Sequence, residues 1–286
     1  MADQAIPLRL RLITYLTPGV PIEYFELLKE YLEEKLQCYV YLLSESRWSG
    51  PPADRVDPFA TGDADIGFVC FPTFHRMFLD PNSTVILLGI AAGNADPRIQ
   101  DQPMYFSDVI THKDNCTKFK EFKDLRGSRW AYNDDYSLSG CLITLRELRK
   151  IGENANFFGN IVRSGAHLKS IKMVLDKMVD GAAIDSNTLS YQMKCDPELR
   201  KKLHIVTSWG PLPVYPAVVS SKLPEELRNS LVSHFLKMHE DPKWQARLNE
   251  FLVTKFVPVT LEDLQGEGDK IREEVGEMTM TKEVNY

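Results

Sequence analysis

The amino-acid sequence predicts an α/β fold with two lobes, each a mostly parallel sheet flanked by helices. Segments with strand and helix patterns alternate along the chain, as in α/β proteins. Residues 65–71, Asp-Ile-Gly-Phe-Val-Cys-Phe, are nearly all apolar, which is typical of a strand covered on both faces. The alternation begins again at Tyr105, and 286 residues suffice for two domains. We therefore expect two successive α/β units.

The first unit begins with a predicted strand at residues 7–16, where Leu8, Leu10 and Leu12 alternate with other residues. Residues 22–36 carry apolar side chains at helical spacing with charges between them, so they predict an amphipathic helix. The other predicted segments of this unit are strands at 38–43, 65–71 and 85–92, a loop at 47–54 and a short helix at 55–61.

The second unit repeats the alternation and is followed by a helical return. Its predicted strands lie at residues 105–111, 128–132, 158–163, 181–185 and 204–208. Its predicted helices lie at residues 118–125, 138–151, 167–179 and 187–195. The return consists of a strand at 214–220 and helices at 224–239 and 242–252. Residues 265–286 are rich in Glu and Lys, which predicts a tail or a loosely attached helix.

The expected domain organisation follows from these segments. Residues 1–106 and 210–260 form the first lobe, which is discontinuous in sequence, and residues 107–209 form the second. Residues 261–286 form an acidic C-terminal tail. We place a hinge near residues 105–110 and 205–209, where the chain is expected to cross between the lobes.

Composition limits the class of partner and predicts the compartment. The net charge of -6 and the pI near 5.6 argue against a nucleic-acid-binding protein. The first residues carry neither a basic nor an apolar leader region, and no window reaches the roughly 18 apolar residues of a membrane span. The five cysteines are widely spaced, which favours reduced thiols over disulfides or a zinc site. We therefore expect a cytoplasmic protein without a transmembrane segment.

Residues 133–140, Asn-Asp-Asp-Tyr-Ser-Leu-Ser-Gly, join a predicted strand directly to a predicted helix. The first N–H groups of a helix have no acceptor within it, and the helix dipole is positive at that end. The hydroxyls of Ser137 and Ser139 beside those donors suit a phosphate-like oxyanion. The alternative is that Ser137 serves only as an N-cap, the usual role of Ser before a helix.

Two further polar residues stand at the ends of predicted strands. His167 begins a helix just after a strand, so it is either a second donor for the same anion or a capping or buried histidine. Asp185 is either a helix cap or a carboxylate at the sheet edge where α/β proteins bind ligands. Signatures of phosphate-binding loops, nucleophile elbows and metal sites do not occur, so neither a cofactor nor a metal is expected.

A set of motifs in a fixed order resembles the phosphonate-binding family of solute-binding proteins from ABC importers, which have the type II periplasmic binding fold. The run Asp-Leu-Arg-Gly-Ser-Arg-Trp-Ala at 124–131 is similar to the family's Asp-Leu-Lys-Gly-Lys-Arg-hydrophobic-Ala. Residues 133–140 resemble its Asp-Pro-x-Ser-Thr-Ser-Gly, and 164–167 resemble its Ser-Gly-Gly-His-Asp. Further similar runs lie at 63–68, 71–73, 105, 181–186, 215–219 and 256–259.

The resemblance implies a ligand cleft between two lobes that close as a hinge. It implies a phosphonyl group held by Ser137, Ser139 and His167, with Tyr105 and Asp185 as candidates for the rest of the ligand. Thr73, in the run at 71–73, completes the candidate binding residues. The middle threonine of the family motif is Leu138 here, and the Asp after the histidine is Leu168, which removes one hydroxyl and one carboxylate.

The leading functional hypothesis is non-catalytic binding of a small phosphate- or phosphonate-like ligand. The expected absence of a leader argues against a transporter partner. The alternative is an enzyme on the same fold, for which His75 and Cys141 are the catalytic candidates. Packing within the helix is the competing explanation for Cys141. A third hypothesis is a protein-interaction role, which rests on the acidic tail alone.

Overall fold

The structure, a computed structural model, describes residues 8–46, 50–52 and 54–281. The start of the predicted strand at 7–16, part of the loop at 47–54 and the end of the tail lie outside these residues. The chain divides into two compact units. The first unit comprises residues 1–95, 101–103 and 215–261, and the second comprises 96–100, 104–214 and 262–286. The domain boundaries expected from sequence stay a prediction.

Strands and helices alternate as expected. In the described residues the strands are β1 Arg9–Thr14, β2 Tyr39–Ser44, β3 Ile66–Phe68, β4 Val85–Leu87, β5 Ile90–Asn94, β6 Met104–His112, β7 Arg129–Tyr132, β8 Asn160–Arg163, β9 Gly181–Asp185, β10 Leu203–Pro213, β11 Ala217–Ser220 and β12 Val253–Pro258. The α-helices are α1 Ile22–Leu36, α2 Pro58–Thr61, α3 Phe71–Leu79, α4 Ile143–Lys150, α5 His167–Leu175, α6 Ser186–Cys195, α7 Leu199–Lys202, α8 Glu225–Lys237, α9 Pro242–Glu250 and α10 Leu261–Val275.

The first unit contains a sheet with the strand order β2-β1-β3-β11-β4. Strands β1, β2 and β3 run parallel, and β11 is antiparallel to both of its neighbours. The sheet therefore has a single antiparallel strand, which agrees with the expected mostly parallel arrangement. A separate ribbon pairs β12 with β5.

Helix α1 forms where the sequence predicts it because its apolar residues lie on one stripe. Phe25, Leu28 and Leu32 on that stripe are buried in the same core cluster as Leu10 and Leu12 of β1. The helix ends at a residue in the left-handed conformation, which stops the helical hydrogen-bond pattern. Helix and sheet thus bury one shared hydrophobic core.

The second unit contains a sheet with the order β10-β6-β9-β7-β8. Strand β6 is antiparallel to β10 and β9, whereas β9, β7 and β8 are parallel to one another. All five residues of β9 are buried, as the near-continuous small and apolar run 181–185 predicts. The parallel strands β7, β8 and β9 consequently end at the same edge of the sheet.

Several elements differ from the sequence-based expectation for local reasons. The strand expected at 85–92 is divided into β4 and β5 at Gly89, whose positive φ of 81° interrupts an extended chain. The strand expected at 65–71 ends at Phe68, and α3 begins at Phe71 because Pro72 suits the first turn of a helix. The helix expected at 138–151 begins with a π-helical turn, Leu138–Leu142, before α4.

The stretch expected to be a tail or a loosely attached helix forms α10. Its buried residues Leu264, Ile271 and Val275 recur at helical spacing, so the helix has an apolar face despite its many charges. The guanidinium of Arg149 donates a hydrogen bond to the carbonyl of Val275 at 3.4 Å. The described part of this stretch therefore packs within the second unit.

We expect Gly159→Ala to destabilise the protein. A Cβ at this position would lie 2.2 Å from the carbonyl oxygen of Gly127, and backbone cannot move aside as a flexible side chain does. The free energy of unfolding, measured by urea denaturation, should fall by about 1–3 kcal/mol. The matched control is Gly266→Ala in α10, where an added Cβ has no neighbour within 4 Å. It should be neutral or stabilise by about 0.5–1 kcal/mol, and equal losses in both variants would contradict the steric account.

Candidate functional site

The parallel pairing of β7 with β8 brings two helix starts together. Tyr132 and Arg163 are partners in the register, so the loops that follow these strands leave the sheet side by side. The N–H groups of Ser164 and Gly165 donate to the carbonyls of Tyr132 and Asn133 at 2.8 and 3.0 Å. The first loop enters the π-helical turn and α4, and the second enters α5.

Ser137 caps the π-helical turn, which is the alternative that the sequence left open. Its hydroxyl oxygen accepts a hydrogen bond from the N–H of Gly140 at 3.0 Å, and its carbonyl accepts from Cys141 and Leu142. The residue is buried. Because a hydroxyl can accept and donate at once, the Ser137 proton remains available to a second acceptor.

Ser139 and His167 are brought together, one from each helix start. The Oγ of Ser139 lies 3.3 Å from the Nε2 of His167, although the residues are far apart in sequence. Ser139 is 2% exposed. His167 is the first residue of α5, and the residue before it provides no side-chain cap. A hydroxyl and an imidazole nitrogen thus converge at the N-terminal ends of two helices.

Burial controls the charge of His167. It lowers the pKa of the imidazole from 6.5 to about 4, so the ring is neutral at pH 7. The Nδ1 atom is buried and has no hydrogen-bond partner among the described residues. The site therefore offers hydrogen-bonding groups for an anion rather than a resident positive charge.

Asp185 caps α6 and is also a perturbed carboxyl group. Its Oδ1 accepts hydrogen bonds from the N–H groups of Asn187 and Thr188 at 2.8 and 3.0 Å. Burial raises its pKa to about 6, and the negative charge of Asp108 adds to this rise. The two backbone donors oppose the shift, since they favour the ionised form. Asp185 is thus the cap of α6, and it is also a carboxylate at the end of β9, where the sheet has its edge.

Tyr105 lies on β6, which is paired with β9. Ser107, two residues along β6 and hence on the same face as Tyr105, is the register partner of Asp185. The hydroxyl of Ser107 donates to the carbonyl of Ser139 at 2.7 Å, which fixes the helix start to the sheet. Tyr105 is buried, at 6% exposure. Sequence reasoning missed Ser107, because no motif marks a single serine within a strand.

Thr73 belongs to the first unit, unlike the other five predicted binding residues. It lies in the first turn of α3 and is buried there. A Cβ at Gly50 would lie 2.1 Å from the Cγ2 of Thr73, so the glycine permits a close approach of the two residues. The structure describes Thr73 as part of the packing of its own unit, and its ligand role stays a prediction.

The two residues named for the enzyme hypothesis belong to different units. Cys141 is buried, and burial raises the pKa of its thiol, so the nucleophilic thiolate is disfavoured. His75 lies in α3 of the first unit, 6.2 Å from the ring of Phe71 between centroids. Among the described residues, no group of three or more His, Cys, Asp or Glu side chains has the geometry of a metal site.

The raised pKa of Asp185 predicts a pH-dependent stability. The folded-state pKa of about 6 exceeds the value of about 3.9 in an unfolded chain, so the folded protein binds this proton more strongly. The corresponding stabilisation is present below pH 4 and is lost as the pH rises through 6. Asp185→Asn keeps a capping oxygen but has no charge to desolvate. At pH 7 its free energy of unfolding should exceed that of the wild type by about 2–3 kcal/mol.

Urea denaturation at pH 4 and pH 7 measures this difference, which should nearly vanish at pH 4. The control is Asp176→Asn, because Asp176 lies in an exposed ion pair with Lys172 at 2.8 Å. Its effect should stay within about 0.5–1 kcal/mol at either pH. A difference for Asp185→Asn that is the same at pH 4 and pH 7 would rule out titration as the cause.

Comparison with solved structures finds proteins of the same fold. PhnD1 from Prochlorococcus marinus (MIT 9301), in complex with methylphosphonate, aligns with a TM-score of 0.78 and 17% identity over 94% of this chain and 99% of that chain. The binding protein component of an ABC phosphonate transporter from Pseudomonas aeruginosa aligns with a TM-score of 0.78 and 15% identity, over 95% of this chain and 90% of that chain. A Xanthomonas citri protein bound to ATP aligns with a TM-score of 0.65 and 16% identity, over 93% of this chain and 96% of that chain. These likenesses confirm the predicted fold class, that of two-lobed type II periplasmic binding proteins.

A family model described as "ABC transporter, phosphonate, periplasmic substrate-binding protein" matches residues 13–264. A search of curated protein sequences found no match. None of the helices in the described part of the chain has the length and apolar character needed to cross a bilayer. The family match covers most of the chain and agrees with the resemblance noted in the sequence.

The expected cytoplasmic location is wrong, because the matching family is periplasmic. That expectation rested on the first few residues, which carry far less information than a match over residues 13–264. The argument against a transporter partner had the same basis, and the family consists of ABC-transporter components. Substrate binding, not catalysis, is the function of the family. The chain belongs to the phosphonate-binding family of periplasmic substrate-binding proteins of ABC transporters.

Proposed function

We propose that this chain is the substrate-binding component of an ABC importer and binds a small organic phosphonate through its second unit. The observation that carries the proposal is the 3.3 Å approach of Ser139 Oγ to His167 Nε2 at two adjacent helix starts. Phosphonyl oxygens accept hydrogen bonds, and helix starts supply N–H donors with a favourable dipole. Methylphosphonate, bound to PhnD1, carries phosphonyl oxygens, and ATP, bound to the Xanthomonas citri protein, carries phosphoryl oxygens that accept hydrogen bonds in the same way.

The proposed donors suffice for useful affinity. A hydrogen bond to a charged group contributes about 1.5–3 kcal/mol, and micromolar binding requires about 8 kcal/mol. Ser137, Ser139, His167 and one or two backbone N–H groups supply a total of this size. The low exposure of Ser137 and Ser139 strengthens each bond, because little water competes for the same groups.

Leu138 and Asp185 favour particular ligands. Leu138 is buried between Ser137 and Ser139, where the family motif has a threonine, so one hydroxyl donor is replaced by an apolar side chain. We infer a preference for a phosphonate with an apolar substituent over inorganic phosphate. Asp185, together with Tyr105, is assigned to the rest of the ligand. With a pKa of about 6, its carboxyl group is mostly ionised at pH 7 and favours a ligand group that donates hydrogen bonds. The implied hinge closure and the role of Thr73 stay predictions.

Calorimetric titration with methylphosphonate tests the anion site. The wild type should bind, whereas Ser139→Ala and His167→Ala should each bind about tenfold or more weakly because each loses one charge-assisted hydrogen bond. Ser221→Ala, an exposed serine of the first unit, is the control and should bind as the wild type does. Full affinity in both site variants, or no response of the wild type to phosphate, phosphite and alkylphosphonates, would overturn the proposal.

Exchange of Leu138 tests the inferred preference. Leu138→Thr restores the hydroxyl of the family motif, so affinity for inorganic phosphate should rise about tenfold relative to a longer alkylphosphonate. The control is Leu142→Thr, four residues later and half-buried, which makes the same exchange of side chain at the last residue of the π-helical turn rather than the first. A parallel change of both ligands' affinities in Leu138→Thr would show that this position does not select between them.

A further inference from the structure

Two of the buried polar atoms of the second unit that have no hydrogen-bond partner among the described residues belong to side chains that both approach Gly140. They are the Oδ1 of Asn133 and the Nδ1 of His167. A buried polar group left without a partner costs about 1–3 kcal/mol, so such groups call for an explanation. Asn133 stands at the start of the loop after β7, and His167 begins the helix after β8.

Gly140 is the point at which these two side chains meet. A Cβ on Gly140 would lie 1.7 Å from the Oδ1 of Asn133 and 3.2 Å from the Cε1 of His167. Any side chain here would therefore force the Asn133 carboxamide to move. The other nitrogen of the His167 ring, Nε2, lies near the Oγ of Ser139. The ring thus has a hydroxyl at Nε2, and the Asn133 carboxamide lies beside the same glycine as the ring.

The chemistry of these atoms fixes the protonation state that suits them. A carboxamide oxygen only accepts hydrogen bonds, so Asn133 requires a proton on Nδ1. An oxyanion at Nε2 requires a proton there as well. Both conditions hold together only when the ring carries two protons and a positive charge.

We propose that Asn133 is a positioning residue for His167: its Oδ1 accepts the Nδ1 proton while Nε2 donates to the bound anion, so that the ring binds ligand as an imidazolium. The inference rests on the proposed function, since it concerns the same anion site. No hydrogen bond joins the two atoms in the structure, and the proposed bond forms when the ligand binds. Asn133 would then link ligand binding to proton uptake by His167.

The charges around the ring are consistent with this role. Helix α5 packs against β6, β7 and β9. Several titratable or charged groups lie on these elements, on α5 itself and on the adjoining loop and β8. Besides His167 they are Tyr105, Asp108, His112, Arg129, Tyr132, Asp134, Asp135, Tyr136, Arg163, Lys169, Lys172 and Asp185. None of them causes the lowered pKa of His167, which comes from burial alone. A bound anion would therefore be the principal charge that favours the protonated ring.

Nitrogen-15 NMR of protein labelled at histidine tests the proposal directly at pH 7. The His167 signal is assigned by its loss in His167→Gln. The ring should be neutral without ligand and doubly protonated with methylphosphonate. In Asn133→Leu the ring should stay neutral at saturating methylphosphonate, and affinity should fall about tenfold. The control is Asn156→Leu, an exposed asparagine of the same unit, which should behave as the wild type.

The outcomes separate this inference from the proposed function. Tight binding with a neutral His167 ring in the wild type, or equal ring protonation in Asn133→Leu, overturns the role of Asn133 and leaves the anion site intact. No binding of methylphosphonate by the folded wild type overturns both. If Asn133→Leu does not fold, Asn133→Asp provides the second test. Its carboxylate should raise the pKa of His167 in the free protein, and an unchanged pKa overturns the proposal.

Discussion

The candidate site depends on the parallel pairing of β7 with β8. Parallel strands end at one edge of a sheet, so the segments that follow them emerge side by side. The register between Tyr132 and Arg163 therefore determines where Ser139 and His167 meet. A shift by one residue would turn alternate side chains to the opposite face and separate the two helix starts. The distance between Ser139 and His167 is therefore determined by how the strands of the second sheet pair.

Desolvation is the second influence on the site, and it acts on His167 and on Asp185. It lowers the pKa of His167 and raises that of Asp185, so in each case it disfavours the charged form. Ser107 pairs with Asp185 in the sheet, and its hydroxyl donates a hydrogen bond to the carbonyl of Ser139, so it connects the Asp185 side of the site with the Ser139 side. The site thus relies on oriented donors in a poorly hydrated setting, which suits an anion-binding protein whose own net charge is -6.

Much of the fold follows from sequence patterns, because periodicity reports directly on burial. Helix α1 has the bounds that its amphipathic spacing predicts, and β9 lies where a small, apolar run predicts a buried strand. The pattern could not show that Gly89 divides one apolar run into two strands, since both strands are apolar. In α10, charges on the solvent side obscured the apolar face formed by Leu264 and Ile271.

The site was only partly predictable for a related reason. Ser139 and His167 follow strands, and a strand-to-helix junction is visible in sequence. Ser107 and Asn133 act through contacts with residues distant in the chain or across a turn, and neither contact leaves a local pattern. The predicted compartment is wrong because it rested on the first few residues, whereas the family match draws on residues 13–264.

The position of β11 bears on the order in which the chain can fold. This strand lies between β3 and β4, yet it comes from residues 217–220, more than a hundred residues after them. On a ribosome the first sheet stays incomplete, with the edges of β3 and β4 unpaired, until most of the chain has been made. The second sheet draws all its strands from Met104–His112 through Leu203–Pro213 and can close earlier. The sheet begun first is therefore the one completed last, and a chaperone that shields β3 and β4 would act in that interval.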